Sequence, residues 1–270
     1  MEFYGLLGKT LKHSLSPNIH QEIYRMLTIQ GAYKLFEVTE ADFPKAVAAL
    51  KLLTIKGANV TIPYKQTILP YLDSVSSEAQ RMQAVNTVLL KDGKLIGYNT
   101  DYHGFGMIFE NHAIPIQGKT ATLLGNGGSA KMAITYLLDH GIKQIRVVSR
   151  KTSQRPVINH PKISYLTYEA IASINSDLLI NTTPIGMYPN CGISPVNEQV
   201  ISQHLILIDL IYNPTETLFL ETGRRLNKPA YNGLEMLIGQ AIKSVEIWQE
   251  QIIPLTVSQK IIQDFQNKFK

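Results

Sequence analysis

A chain of 270 residues, 44% apolar and 17% charged, can bury a sizeable core and lies where one large domain gives way to two. Its single cysteine, Cys191, excludes an internal disulfide and a thiolate metal cluster, and no apolar run approaches the roughly 20 residues that span a bilayer. The net charge of +5 is spread over separated positions such as Lys9, Lys12, Lys65 and Arg150, without a basic run interleaved with aromatics. An anionic small substrate and a phosphate-bearing cofactor account for it as well as nucleic acid would, so no nucleic-acid partner is expected.

The opening stretch, Glu2 to Gly8, reads as a strand, with no basic leader or cleavage site; a cytoplasmic protein without a membrane partner is the expectation. Pro17 at a first helical position opens a helix through Ile29. Tyr33 to Val38 is a second strand, and Thr39 reads as the N-cap of a helix carrying Phe43, Val47 and Leu50. Ala58 to Thr61 is a buried strand ending at Pro63, with a helix after it. Val85 to Leu90 and Leu95 to Tyr98 flank Asp92-Gly93, a hairpin turn signal. A second unit begins after Pro115. Lys119 to Leu124 is an apolar strand running into GNGGSAK, residues 125 to 131, and Ala130 to His140 repeats apolar residues at helical spacing. Strands follow at Ile145 to Val148, Leu178 to Ile180 and Leu205 to Asp209. A last, amphipathic helix runs from Glu235 to about Glu250. The pattern predicts an α/β chain of two domains: an N-terminal α/β domain, residues 1–101 with 235–270, and a Rossmann-like nucleotide-binding domain, residues 102–234, with a cleft between them.

Gly125, Gly127 and Ala130 fit G-x-G-x-x-G/A directly after a strand and at the opening of a helix. The first glycine allows the tight turn, the second lets backbone approach a pyrophosphate, and the small third residue permits close packing of helix on strand. Asn126, Gly128 and Ser129 complete the loop. A glycine-rich turn without a ligand has the same letters, but here strand, helix and following strand are all in place. The end of that following strand selects the cofactor. NAD enzymes usually carry a carboxylate there for the ribose 2′-hydroxyl, whereas this chain has Ser149-Arg150-Lys151. A guanidinium fork, an ammonium and a hydroxyl suit a 2′-phosphate, so NADP(H) is expected. Arg150 as a solvated loop charge is the alternative.

Seven further segments occur in one order: HSLSP at 13–17, NVTIPYK at 59–65, AVNT at 84–87, GYNTD at 97–101, NTTPIGM at 181–187, DLIYNP at 209–214 and NGLEMLIGQA at 232–241. The set resembles the shikimate dehydrogenase family over nearly the whole chain. The resemblance implies NADPH-dependent reduction of 3-dehydroshikimate to shikimate, in the pathway to the aromatic amino acids. It also implies that Ser14, Ser16 and the Tyr212 hydroxyl bind the substrate carboxylate. Thr61, Lys65, Asn86, Asp101 and Gln240 would surround the ring hydroxyls and the reacting C3 oxygen. Leu210 and Gly233 match positions near the nicotinamide, and Asn181, Thr182 and Thr183 match the loop beside the cofactor. The chemistry agrees. Hydride addition to a ketone puts negative charge on its oxygen, which must be stabilised and protonated. The Lys65 ammonium can do both if the Asp101 carboxylate fixes it.

Each residue alone has a plainer reading. Lys65 could be a solvated charge at a helix start, Asp101 a helix cap, Ser14 and Ser16 turn and cap residues, and Asn86 a partner of its own backbone. The joint pattern outweighs them. The seven histidines, among them His13, His20, His103 and His112, lack metal-ligand spacing, so no metal is expected. Cys191 sits in a polar loop without an evident base. Three departures from the family stand out: Asn126 and Ser129 in a loop that commonly reads GAGGA, Ser149-Arg150-Lys151 in place of Asn-Arg-Thr, and Tyr102 where glycine often follows the aspartate. A quinate/shikimate dehydrogenase with relaxed cofactor use and a non-catalytic NADP-binding sensor are the competing functions. The expected assembly is a monomer or homodimer.

Overall fold

The computed structural model describes residues 1–150 and 158–268; Lys151, expected at the cofactor, lies outside them. The chain divides into two compact units, Met1–Gly104 with Ile238–Lys270, and Phe105–Leu237.

The first unit begins with β1 (Glu2–Gly8), α1 (Ser16–Met26), β2 (Gly31–Glu37), α2 (Phe43–Leu52), β3 (Gly57–Val60) and α3 (Tyr64–Thr67). It continues through β4 (Ser74–Val75), α4 (Ser77–Met82), β5 (Thr87–Lys91) and β6 (Lys94–Tyr98). The sheet order is β2-β1-β3-β5-β6-β4. β1 runs parallel to both β2 and β3, and β5 antiparallel to β3 and β6. The β5–β6 turn places Asp92 and Gly93 at φ of 50° and 73°, the left-handed pair that a tight hairpin requires. α1 opens at Ser16, with Pro17 in its first turn, and stops at Met26, short of Ile29, because Thr28 turns left-handed (φ 54°) and leads into β2. Thr39 does not cap α2. Asp42 holds that place, and the Thr39 hydroxyl instead accepts from the Asp42 N–H at 3.3 Å and donates to its carboxylate at 2.9 Å. The helix after Pro63 is one turn, followed by a 3-10 turn at Leu69–Tyr71. Leu7, Phe43, Val47, Leu50, Val60 and Tyr64 belong to one buried cluster of this unit. Trp248 anchors another part of its core, donating from Nε1 to the Val88 carbonyl at 2.9 Å and stacking on Tyr4 at 4.8 Å.

α5 (Asp101–Asn111) leads to β7 (Thr120–Leu124), α6 (Gly128–Asp139), β8 (Gln144–Val148), β9 (Ile163–Leu166) and β10 (Ser176–Asn181). Then come α7 (Glu198–Ser202), β11 (His204–Asp209), α8 (Leu218–Arg225) and β12 (Ala230–Tyr231). The second sheet is parallel throughout, in the order β12-β11-β10-β7-β8-β9. Read from the other edge, its first-to-last strands run third, second, first, fourth, fifth, sixth: a Rossmann-like doubly wound sheet. Its strand order reverses between β7 and β10, where such sheets gather ligands beyond their carboxyl ends. α9 (Leu234–Gln249) and α10 (Leu255–Lys268) complete the chain. No helix among the described residues is long and apolar enough to cross a membrane.

Two buried histidines give the fold a pH dependence. Burial lowers His20 from 6.5 to about 3, against a smaller opposing effect of its bond to Asn59. Burial likewise lowers His204 to about 4, against the opposing effect of its bond with the Ser176 backbone and with a smaller contribution from the nearby Lys228 and Arg146 charges. Both folded values lie below the unfolded value, so the unfolded chain takes up these protons first. Their contribution is flat above about pH 6.5 and erodes below it, by about 1.4 kcal/mol per pH unit for each. Asp209, raised to about 6 by burial, opposes one of them between pH 6 and 4. Thermal melts of wild type and His204→Gln between pH 7.5 and 4.5 check this: the variant should have a slope flatter by about one proton, and parallel curves would contradict it.

Candidate active site

Lys65 lies in the single turn α3, which is pinned where its backbone carbonyl accepts the Val85 N–H at 2.7 Å. Asp101 is the first residue of α5, its N–H held by the Asn99 side chain at 3.1 Å. The two side chains, 36 positions apart, meet: Lys65 Nζ donates to Asp101 Oδ2 in an ion pair. The other carboxylate oxygen accepts from Asn86 Nδ2 at 2.8 Å. Asn86 is buried, and its own Oδ1 receives the Thr100 N–H at 2.7 Å, the Thr87 hydroxyl at 3.1 Å and the Thr100 hydroxyl at 3.2 Å. An oxygen ringed by donors cannot exchange places with the amide nitrogen, so the Asn86 NH2 must face Asp101. The Lys65 and Asp101 side chains keep 30% and 20% of their surface exposed, which leaves the ammonium reachable by a ligand.

The remaining substrate candidates of the first unit are all partly buried. Ser16, the first residue of α1, donates its N–H to Ser14 Oγ at 3.2 Å. Thr61 donates its N–H to the Leu7 carbonyl at 3.0 Å and accepts the Tyr64 N–H at 2.8 Å. Gln240, on α9, accepts the Ser244 hydroxyl at its backbone oxygen at 2.8 Å. Sequence reasoning missed Asn59, Thr100 and Ser244, all buried and all bonded into this cluster. For Asn59 a signal was available: a polar side chain in the otherwise apolar buried strand β3 needs partners.

In the second unit, Gly125 follows β7 at φ 107° and donates its N–H to the Val148 carbonyl at 2.8 Å. A Cβ there would stand 2.8 Å from Thr182 Oγ1 and 2.9 Å from Thr183 Cγ2. Thr182 in turn bonds the Leu124 carbonyl through its N–H at 3.0 Å and its hydroxyl at 2.7 Å. The glycine loop and the Thr182–Thr183 loop thus meet at the strand-order reversal. Asn181 Oδ1 accepts the Thr183 hydroxyl at 2.7 Å and its N–H at 3.0 Å, while Nδ2 donates to Asp209 at 3.0 Å. Burial raises the Asp209 carboxyl to about 6, with bonds from Thr217, Ile211 and Asn181 holding it down. Gly233 donates its N–H to the Ile211 carbonyl at 3.0 Å and packs against the Leu210 backbone. Burial raises the half-buried Tyr212 phenol, which remains a donor.

A dinucleotide fits these residues. α6 has no side-chain cap at Gly127, so its first N–H groups remain available to a phosphate. A Cβ built on Gly127 or Gly128 meets nothing within 4 Å, whereas Ala130 is fully buried against the fold. Asn126 Oδ1 is a buried acceptor without a partner among the described residues. Ser149 is buried and Arg150 exposed at the end of β8, the Arg150 charge reaching Tyr168.

Residues 6–88 match the family described as the shikimate dehydrogenase substrate binding domain. A shikimate dehydrogenase (NADP(+)) of Clostridium beijerinckii is 54% identical over 270 residues, the full length of both chains. Shikimate dehydrogenase 1 from Peptoclostridium difficile superposes with a TM-score of 0.91 at 47% identity, covering 100% of this chain and 99% of its own. The shikimate 5-dehydrogenase of Thermus thermophilus, solved with NADP(H) and shikimate, has a TM-score of 0.87 at 28% identity; the match covers 98% of this chain and 99% of that one.

Proposed function

The chain belongs to the shikimate dehydrogenase family, and from that premise we propose which of its residues carry the reaction. The protein is an oxidoreductase that reduces 3-dehydroshikimate to shikimate reversibly with NADP(H). NADPH, when bound, supplies the hydride that adds to the C3 carbonyl carbon. Lys65 stabilises the charge growing on the C3 oxygen and delivers a proton to it from Nζ; in the oxidation direction it takes that proton back. Asp101 holds the ammonium in place, and Asn86 holds Asp101. Ser14, Ser16 and Tyr212 serve the carboxylate. Thr61 and Gln240 read the ring hydroxyls, so that an analogue lacking a hydroxyl leaves polar groups unpaired and is rejected.

For the cofactor, the backbone of Gly125, Asn126, Gly127, Gly128, Ser129 and Ala130 takes the pyrophosphate. Ser149, Arg150 and Lys151 take the 2′-phosphate. Asn181, Thr182, Thr183, Leu210 and Gly233 line the nicotinamide side. In this reading residues 1–101 with 235–270 hold the substrate and residues 102–234 the cofactor. The protein works in the cytoplasm, as its lone cysteine permits, as a monomer or homodimer.

The observation that supports the catalytic reading best is the convergence of Lys65 and Asn86 on the two oxygens of one carboxylate. An absorbance assay at the nicotinamide band, with shikimate and quinate each offered NADP and NAD, tests it. Shikimate with NADP should exceed shikimate with NAD at least tenfold in kcat/KM, about 1.4 kcal/mol. Arg150→Ala should erase most of that preference by raising KM for NADP while leaving NAD unaffected. Equal efficiency with both cofactors in wild type would instead favour a quinate/shikimate dehydrogenase of relaxed cofactor use.

A further inference from the structure

Asp209 ends β11 with its side chain wholly out of solvent, and the reaction as described makes no use of it. Its Oδ1 accepts the Ile211 N–H at 3.1 Å and Asn181 Nδ2 at 3.0 Å, and its Oδ2 accepts the Thr217 hydroxyl at 2.7 Å. All three donors are neutral. Among the described residues no lysine, arginine or histidine pairs with it, whereas Glu235, the other buried carboxylate among them, faces His112 Nε2 at 2.9 Å. Burial lifts Asp209 to about 6, still low enough for it to be charged at neutral pH.

Hydrogen bonding does not call for a carboxylate here. An asparagine would keep both acceptor bonds at Oδ1. Its NH2 would donate to the Thr217 oxygen, which accepts the Leu220 N–H at 3.4 Å and has a second lone pair. The carboxylate instead leaves an uncompensated charge in the interior, which costs stability. Charge is thus the property that sets Asp209 apart, and the interior screens it less than water does.

The groups around this charge are those assigned above to the nicotinamide. Asn181, bonded to Asp209, fixes Thr183 through its own Oδ1. Leu210 follows Asp209 directly, donates its N–H to the Asn181 carbonyl at 3.0 Å and has its backbone against Gly233. A nicotinamide ring is positively charged when oxidised and neutral when reduced, so a fixed negative charge near it attracts one form and not the other.

We propose that Asp209 sets the preference between the two oxidation states of the cofactor: its buried carboxylate strengthens binding of NADP+ over NADPH, by charge rather than by contact. The proposal rests on the reading that places Asn181, Thr183, Leu210 and Gly233 at the nicotinamide.

Calorimetric titrations without substrate, at a pH well above the Asp209 value, test this. The ligands are NADP+, NADPH, 2′,5′-ADP and the benzamide analogue of NADP+, which keeps the flat ring and lacks its charge. Wild type should bind NADP+ about fivefold more tightly than the analogue. Asp209→Asn should weaken NADP+ about fivefold, while NADPH, the analogue and 2′,5′-ADP stay within about twofold. Equal affinity of wild type for NADP+ and the analogue would overturn the proposal without any variant. Equal losses for all four ligands in Asp209→Asn, the sign of a distorted loop, or no loss for any, would overturn it too. Leu210→Ala probes the underlying reading. It should weaken NADP+, NADPH and the analogue alike and leave 2′,5′-ADP, which has no nicotinamide, unchanged. If it alters none of them, the nicotinamide-side reading falls and the proposal with it, a failure that shows in Leu210→Ala rather than in Asp209→Asn.

Discussion

Lys65→Ala should lower kcat by two to four orders of magnitude, the range by which a positioned acid–base group accelerates proton transfer, while the folded protein remains almost as stable as before. The two halves of that result belong together. Lys65 and Asp101 are partly exposed, and ion pairs of that kind contribute little to stability. If the pair were a helix-start ornament, removing it would change neither melting temperature nor turnover. If it holds the ammonium at the C3 oxygen, turnover falls and the melting temperature stays within a few degrees. Lys65→Arg separates charge from proton transfer: a guanidinium keeps a positive charge near Asp101 but does not release its proton near neutral pH, so its turnover should stay within about tenfold of the alanine variant. Near-normal kcat in Lys65→Ala would end the catalytic role of Lys65.

The glycine loop allows a second test in which two neighbouring substitutions part company. Gly125→Ala should damage both folding and cofactor affinity. Its φ of 107° is one that alanine adopts only with strain of about 1–3 kcal/mol, and the added Cβ meets the Thr182 hydroxyl oxygen at 2.8 Å. A tenfold or larger rise in KM for NADP, with a lower melting temperature, is the expected outcome. Gly127→Ala should be different. Its N-cap conformation, φ −106° and ψ −164°, is extended, and nothing lies within 4 Å of the new Cβ. The free protein should melt no lower than wild type, yet KM for NADP should rise by a similar factor if a pyrophosphate lies against that backbone. A Gly127→Ala variant with normal NADP affinity would exclude the loop as the pyrophosphate cradle.

Much of this was legible in the residues because the relevant signals are local. Glu2–Gly8 was readable as a strand, Asp92-Gly93 as a turn, and Gly125 to Ala130 as a loop between strand and helix, since each depends on backbone preferences a few residues long. β4 and β12 were not readable: two residues each, they are strands only because a neighbour offers them a ladder. The end of α1 was overrun because a left-handed threonine carries no warning in its side chain. The division of labour at the site follows the same line. Lys65, Asn86 and Asp101 were named by their motifs, and the resemblance gave them roles. The hub at Asn59, however, is defined by who surrounds it. His20 and Tyr33, from α1 and β2, and Ser244, from the far end of the chain, reach it only in the fold, and no spacing along the sequence encodes that meeting.

The donors crowded around Asn86 Oδ1 have a consequence for the speed of the chemistry. With three of them converging on one oxygen, the amide has lost its freedom to turn, and the carboxylate beyond it is gripped from a direction chosen before any substrate arrives. Solvent around a free ketone must reorient as its oxygen becomes charged; here the surrounding dipoles have already done so during folding.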